Sequence, residues 1–435
     1  MKKIIIGVLA LAIVLGFLFW QYGPFSGTKT GPSGPVNLTL SGLWEDEATI
    51  RPVVDAYTKA HPGVTINYGR QSSLNYRTRL QTQIQAGQGP DIYMIHQSWV
   101  PMFGSYLSPA PEGVMSLNEF VGTFYPVAKD TLVKNNQILA MPIEIDGLAL
   151  YYNEDILKAA GVTPPNNWQD LITDATKMTV KNTQGQIQTA GAALGTAGNV
   201  DHWSDILGLL FLQQPQADLY NPATSAGADV LKFYTSFVTD PAKKTWDVTL
   251  PSSTQMFEQG RLAFYFAPSW RAHELRIANP NLKFRVVPVP QLPGRTVGWA
   301  SFWAFGVSSQ SKNQKAAWDF IKYLTTAQSE QAMYQLAAKT RLFGEPYSRV
   351  DLGPQLSADP LTGAFVNQGS YYKSWFLNSN TFDQGINDEM IKYFEDAINS
   401  VLAGGSPTQA LQTTAKGVTQ VVDKYTKPQP TASQK

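Results

Sequence analysis

Between residues 36 and 96 the hydrophobic pattern changes period four times, and this alternation limits the fold more than any other feature of the chain. Val36, Leu38 and Leu40 alternate with Asn37, Thr39 and Ser41, the period of two of a half-buried strand. Asp46 or Glu47 can cap the helix that follows, in which Ile50, Val53, Val54 and Tyr57 form one apolar stripe before Pro62-Gly63 stops it. A strand over 64–68, a polar helix over 74–86 closed by Gly87 and Gly89, and a strand over 91–95 complete a βαβαβ unit. Such a unit implies an α/β fold with a parallel sheet flanked by helices.

At 435 residues the chain is too long for one ordinary core, so two domains of roughly 150–200 residues are expected. Apolar strands recur over 143–152, 257–268, 284–290 and 297–307. A helix should start at Glu154-Asp155 and another at Trp168, after a Pro-rich loop. Residues 315–339 read as largely helical, packed through Trp318, Ile321 and Leu324. The segment after Tyr425 is rich in Pro, Thr, Gln and Ser and is expected to be a disordered tail over 426–435.

Composition removes several classes of function. Lys and Arg total 34 against 33 Asp and Glu, so there is no basic field for nucleic acid. A mean hydropathy of −0.18 excludes a polytopic membrane protein. There is no cysteine, hence no disulfide, thiolate catalysis, cysteine zinc site or acylated cysteine. The four histidines (His61, His96, His202, His273) are scattered and outline no metal site. No phosphate loop, nucleophile elbow or HExxH is present, and no cofactor is expected.

Lys2 and Lys3 precede an unbroken apolar run from Ile4 to Trp20. As a helix it would span about 25 Å, slightly short of a bilayer core of roughly 30 Å. Bulky Phe17, Leu18, Phe19, Trp20 and Tyr22 stand where a signal peptidase would need small residues. Residues 1–22 are therefore read as an uncleaved membrane anchor, with a cleaved signal peptide as the alternative. Residues 23–35 read as a flexible linker, and the body lies outside the cytoplasm.

Four segments carry a resemblance. They are Gly87-Gln88-Gly89-Pro90-Asp91-Ile92; the run from Met141 through Tyr151-Tyr152-Asn153-Glu154-Asp155 to Asn167-Trp168; Met256-Phe257-Glu258-Gln259-Gly260-Arg261 closed by Pro268-Ser269-Trp270; and Pro288-Val289-Pro290 to Trp299. In that order and spacing the chain resembles the extracellular solute-binding proteins of ATP-binding-cassette importers. The resemblance implies a type II periplasmic-binding-protein-like fold, two lobes around a ligand cleft, each lobe discontinuous in sequence. The first lobe would comprise 36–145 plus 291–352, the second 146–290 plus 353–425. It also implies a captured carbohydrate, permease subunits as partners, and a monomer. Phe264 and Trp299 depart from the family's usual Met and Gly.

Sugars are held by aromatic rings against their C–H faces and by planar polar side chains on their hydroxyls. An open α/β sheet places its ligand at the carboxyl ends of strands. Residues just after expected strands are thus the candidates: Trp44, Glu45, Gln97, Trp99 and, by the resemblance, the hinge carboxylate Asp146 and the stacking ring Trp270. Trp203, Trp299, Arg341 and Asp383 complete the set. Trp99 and Trp270 are expected to meet one sugar from opposite lobes, Trp299 and Trp303 to share a strand face with Trp303 in the core, and Tyr151 and Tyr152 to be core. The alternatives are a receptor for a polyamine, phosphate ester, peptide or metal chelate, a membrane-tethered sensor, or a glycoside hydrolase using Glu45, Asp46, Glu144 or Asp146.

Overall fold

The computed structural model of the chain describes residues 34–427. The expected anchor, nearly all of the linker and most of the tail lie outside the described residues. The compact body runs from Asn37 onwards.

Two sheets organise that body. The first has the strand order Val64–Arg70, Val36–Gly42, Ile92–His96, Trp303–Ser308, Leu107–Ser108, with Met141–Pro142 also paired to Trp303–Ser308. Val36–Gly42 alternates buried and largely exposed residues, as its period of two requires, whereas every residue of Ile92–His96 is buried. These two strands are parallel. Trp303–Ser308 returns antiparallel to Ile92–His96, setting Trp303 opposite His96. The sheet is therefore mixed rather than purely parallel.

The Glu47–Ala60 helix begins where Asp46 caps it, its Oδ1 accepting from Thr49 N at 2.8 Å. Ile50, Val53, Val54 and Tyr57 are its buried stripe. The helical stretch expected over 315–339 is two helices, Gln314–Leu324 and Ala327–Ala337, broken at Thr325 and Thr326. Thr326 turns its hydroxyl to cap the second.

The second sheet runs Phe284–Val287, Ala149–Asn153, Leu262–Ala267, Ile187–Ala192, Val180–Lys181. Ala149–Asn153 is antiparallel to both neighbours, and Ile187–Ala192 is parallel to Leu262–Ala267. Tyr151, Tyr265, Phe257 and Phe284 close a ring cluster on it, so Tyr151 is core, while Tyr152 is half-buried. The last two helices, Ile386–Leu402 and Pro407–Thr426, pack on each other and on Ser225–Thr239.

The apolar strand expected over 143–152 is shorter than that, Ala149–Asn153, and the residues before it make the crossing that the family resemblance implies near Ile143–Leu148. Met141–Pro142 belongs to the first sheet and Ala149–Asn153 to the second, so residues 143–148 carry the chain from one to the other. The return lies between Val287 and Trp303. The two passages touch: Leu148 N donates to Trp299 O at 2.8 Å, and Gly147 bridges Ala300. A Cβ on Gly147 would lie 2.0 Å from Trp299 O, so only glycine fits this crossing. The strand expected over 297–307 is also split, into Gly298–Trp299, paired with Tyr372–Lys373, and Trp303–Ser308.

Candidate ligand-binding cleft

A cavity of about 430 Å³ opens where the two sheets' strand ends and the crossing segments meet. That is within the range of small-molecule sites. On the first-lobe side Trp44 follows Val36–Gly42 and stands edge-on to Trp303, ring centroids 5.3 Å apart. Phe382 lies 6.2 Å from Trp44 and is exposed to the cavity. From the second lobe comes Trp270, which follows Leu262–Ala267. His202 meets it edge-on, and the Arg271 guanidinium lies 4.3 Å above its ring.

Carboxylates line the same space, each tied down by donors. Asp146 accepts from Gly147 N at 2.7 Å and from the Ser269 amide and hydroxyl at 3.0 and 2.8 Å. Burial nonetheless pushes its carboxyl up to about 8, against the pull of those donors. Glu144 accepts from Trp303 N at 3.1 Å, and burial, helped by the charges of Glu345, Asp146 and Glu45, holds it well above the usual range. Asp205 accepts from the Trp299 indole at 2.9 Å and from Ser379 N. Arg341 pairs with Glu345 at 2.8 Å and Arg271 with Glu274 at 2.5 Å. Arg271 Nε also donates to His202 Nε2, which leaves the His202 Nδ1 proton for the Ser379 hydroxyl. His96, between the Ser98 and Ser301 hydroxyls, is kept neutral by burial, which lowers it to about 3. No group of residues among those described is arranged to hold a metal ion.

Of the residues singled out from sequence, Trp44, Asp146, Trp270 and Arg341 line the cavity. Glu45 sits just behind it, bordering a small hollow with Arg341 and Glu345. Burial and the Glu345 charge push Glu45 up to about 7, against Arg341 and Arg70, and its Oε2 has no partner.

The others serve elsewhere. Trp99 is fully buried, stacked on Phe103 and edge-on to Trp303 at 5.3 Å, so it braces the cavity wall and Trp303 takes the place foreseen for it. Trp303, expected in the core, is half-buried and faces the cavity. Trp299 shares no face with it, because 300–302 leave the strand path; its ring lies against Gly208, and its indole is held by Asp205. Trp203 is buried at the start of Trp203–Gln213. Gln97 donates to the Ser374 hydroxyl at 2.8 Å. Asp383 is fully buried and anchors the start of Ile386–Leu402, accepting from Gly385 N, Asn387 N and the Asn387 amide. Sequence reasoning missed His202, Asp205, Glu345 and Phe382 at the cavity wall; only His202 and Asp205, flanking Trp203, carried a local signal.

Two lobes of α/β structure, joined by segments that pass between them beside an aromatic and carboxylate-lined cleft, define a ligand-binding protein of the type II periplasmic-binding-protein class. The chain belongs to the bacterial extracellular solute-binding protein family, whose model matches residues 41–331. It is accordingly an extracytoplasmic binding protein and not an enzyme. It is 23% identical over 345 residues (75% of this chain, 78% of the relative) to a maltooligosaccharide ABC transporter solute-binding lipoprotein of Streptococcus pneumoniae. It is 23% identical over 328 residues (72% of this chain, 66% of the relative) to the maltotriose-binding protein of Pyrococcus abyssi. Among solved structures, a cyclo/maltodextrin-binding protein complexed with maltotetraose superposes with a TM-score of 0.72 at 17% identity, over 91% of this chain and 99% of the other; this likeness concerns the fold.

Proposed function

We propose that the cleft captures a carbohydrate, an oligosaccharide in particular, and that the protein delivers it unaltered to an ATP-binding-cassette importer. One observation carries the reading: tryptophans from both lobes, Trp44 and Trp303 on one side and Trp270 on the other, border one cavity among oriented carboxylates. Rings of this kind stack on the C–H face of a sugar, and carboxylates whose geometry is fixed by backbone donors accept from its hydroxyls at little ordering cost. Asp146, pushed up to about 8 by burial, can also donate, and burial shifts Glu144 in the same direction. The arginines lining the cavity, Arg271 and Arg341, are each engaged by a carboxylate, which argues against an anionic ligand. Relatives named for maltooligosaccharide and maltotriose point the same way.

Residues 1–22 would tether the monomer to the membrane through the 23–35 linker, leaving lobes of 36–145 plus 291–352 and 146–290 plus 353–425 free to present the ligand to permease subunits. No helix among the described residues is long and apolar enough to cross a membrane. A thermal-shift screen of maltotriose, maltotetraose, mannobiose, spermidine, glycerol phosphate and a tripeptide tests the ligand class. Ligands that bind only the native state raise its melting temperature. A saccharide should give the largest shift; a shift with spermidine, the phosphate ester or the peptide alone would refute the reading.

A further inference from the structure

The segment 379–384 at the rim of the cleft is held in a conformation that its sequence does not favour. Asn380, Phe382 and Gln384 all have left-handed backbones, with φ of 56°, 54° and 46°. Left-handed residues other than glycine are held against steric preference, and a bulky Phe is a clear outlier. Alternating them over five positions requires surroundings that fix the path.

Those surroundings come from both lobes. On the first-lobe side, Arg77 donates through Nε to Asp383 O and through Nη2 to Gln384 O at 3.2 Å. Gln384 Nε2 donates to Asn75 Oδ1 at 2.7 Å, and the Asn387 amide donates to the Ser98 hydroxyl at 2.7 Å. The approach is so close that a Cβ on Gly385 would lie 2.6 Å from Met102 Sδ. On the second-lobe side, Ser379 N donates to Asp205 at 3.2 Å, and the Ser379 hydroxyl meets His202 Nδ1 at 2.8 Å. Between the two sets of ties, Phe382 enters the cavity beside Trp44.

We propose that residues 379–384 form an interlobe strap that holds the two lobes together across the mouth of the cleft in the absence of ligand. The two passages that carry the chain between sheets, 143–148 and the return between Val287 and Trp303, form the hinge; the strap is a side-chain and main-chain tie on the cleft side, so its making and breaking biases the hinge. Its backbone strain is sustained only while both anchors hold. Parting the lobes releases the first-lobe ties, relaxes the left-handed residues and withdraws Phe382 from Trp44.

The test needs no ligand and therefore stands apart from the carbohydrate reading. The sequence contains no cysteine, so Val121→Cys on the first lobe and Val248→Cys on the second, both exposed positions, take a pair of spin labels without other changes. Pulsed electron-electron resonance then reads the distribution of interlobe separations in the full chain. Arg77→Ala should lower the ratio of short to long separations about tenfold, equivalent to about 1.4 kcal/mol. Gln384→Ala should shift the ratio the same way by a smaller factor. Arg77→Lys, which keeps one donor, should fall between Arg77→Ala and the parent. Distributions that superimpose on the parent's in both alanine variants, with cooperative melting retained, would overturn the proposal. Arg77 and Gln384 are at least partly exposed, so neither truncation empties a core; should Arg77→Ala fail to fold, Gln384→Ala alone decides.

Discussion

Glu45 offers a sharp test of the electrostatics behind the cleft. It is buried, its Oε2 has no partner, and Glu345 stands beside it. Burial first, then the Glu345 charge, moves its carboxyl from 4.5 to about 7. At about 1.4 kcal/mol per pH unit, that displacement corresponds to roughly 3 kcal/mol. The sign follows from linkage. Below pH 4.5 the group is protonated whether the chain is folded or not, and stability is unaffected. From 4.5 to about 7 the unfolded chain loses this proton while the folded one keeps it, so stability falls as pH rises; beyond about 7 the deficit is constant. Glu45→Gln preserves shape, removes the titration, and places an amide donor beside Glu345. Denaturant unfolding at fixed temperature from pH 4 to 8 should show the variant gaining on the parent across that window, by about 3 kcal/mol at the alkaline end. Asp146 and Glu330 titrate upwards too, but they are common to both proteins and cancel to first order, while Glu144, raised in part by the Glu45 charge, is relieved in the variant and adds to the gain in the same direction. Parallel stability curves for parent and variant would refute this account of Glu45.

Four further outcomes are expected, three from the geometry and one from the sequence of the first 22 residues. Trp270→Ala and Trp303→Ala should each weaken saccharide binding by roughly ten- to a hundredfold, as loss of about 1–3 kcal/mol of stacking and desolvation implies; native affinity in isothermal calorimetry for either variant would contradict the placement of that ring. Trp99→Ala should instead destabilise the fold by about 3–5 kcal/mol, since it removes a fully buried ring. Gly147→Ala should cost more than a typical overpacking change of about 1–3 kcal/mol, because the new methyl meets the backbone of the second crossing, and a melting temperature equal to the parent's would show that the crossing relaxes. Intact-mass measurement on protein from its native membrane should find residues 1–22 present, whereas a mature N-terminus between Gln21 and Gly34 would identify a cleaved signal peptide.

The first βαβ unit was legible because each element there is half exposed. Val36, Leu38 and Leu40, and the Ile50–Tyr57 stripe, stand out only against polar neighbours, and Asp46 caps its own helix locally. The crossings were not legible from pattern. Ile143 to Tyr151 is buried throughout, Glu144 and Asp146 included, because both the passage between lobes and the strand beyond it are covered, so no alternation marks where one sheet is left and the other entered. The same limit decided the tryptophans. Trp99 and Trp303 both stand at strand ends, and it is the antiparallel pairing of Trp303 with His96 that turns Trp303 to the cleft and leaves Trp99 behind it. Glu345 and Phe382 sit in long loops without a strand to announce them, and they reach the cavity only through contacts distant in sequence.

The central claim, capture without transformation, is tested most directly by titrating residues 36–427 with maltotetraose in a calorimeter while sampling the same cell for shortened sugars. A saturable heat at one site per chain is expected, with the tetrasaccharide recovered whole after prolonged incubation. Steady release of maltose or glucose, or no heat with any saccharide alongside saturable heat for a non-sugar solute, would contradict it.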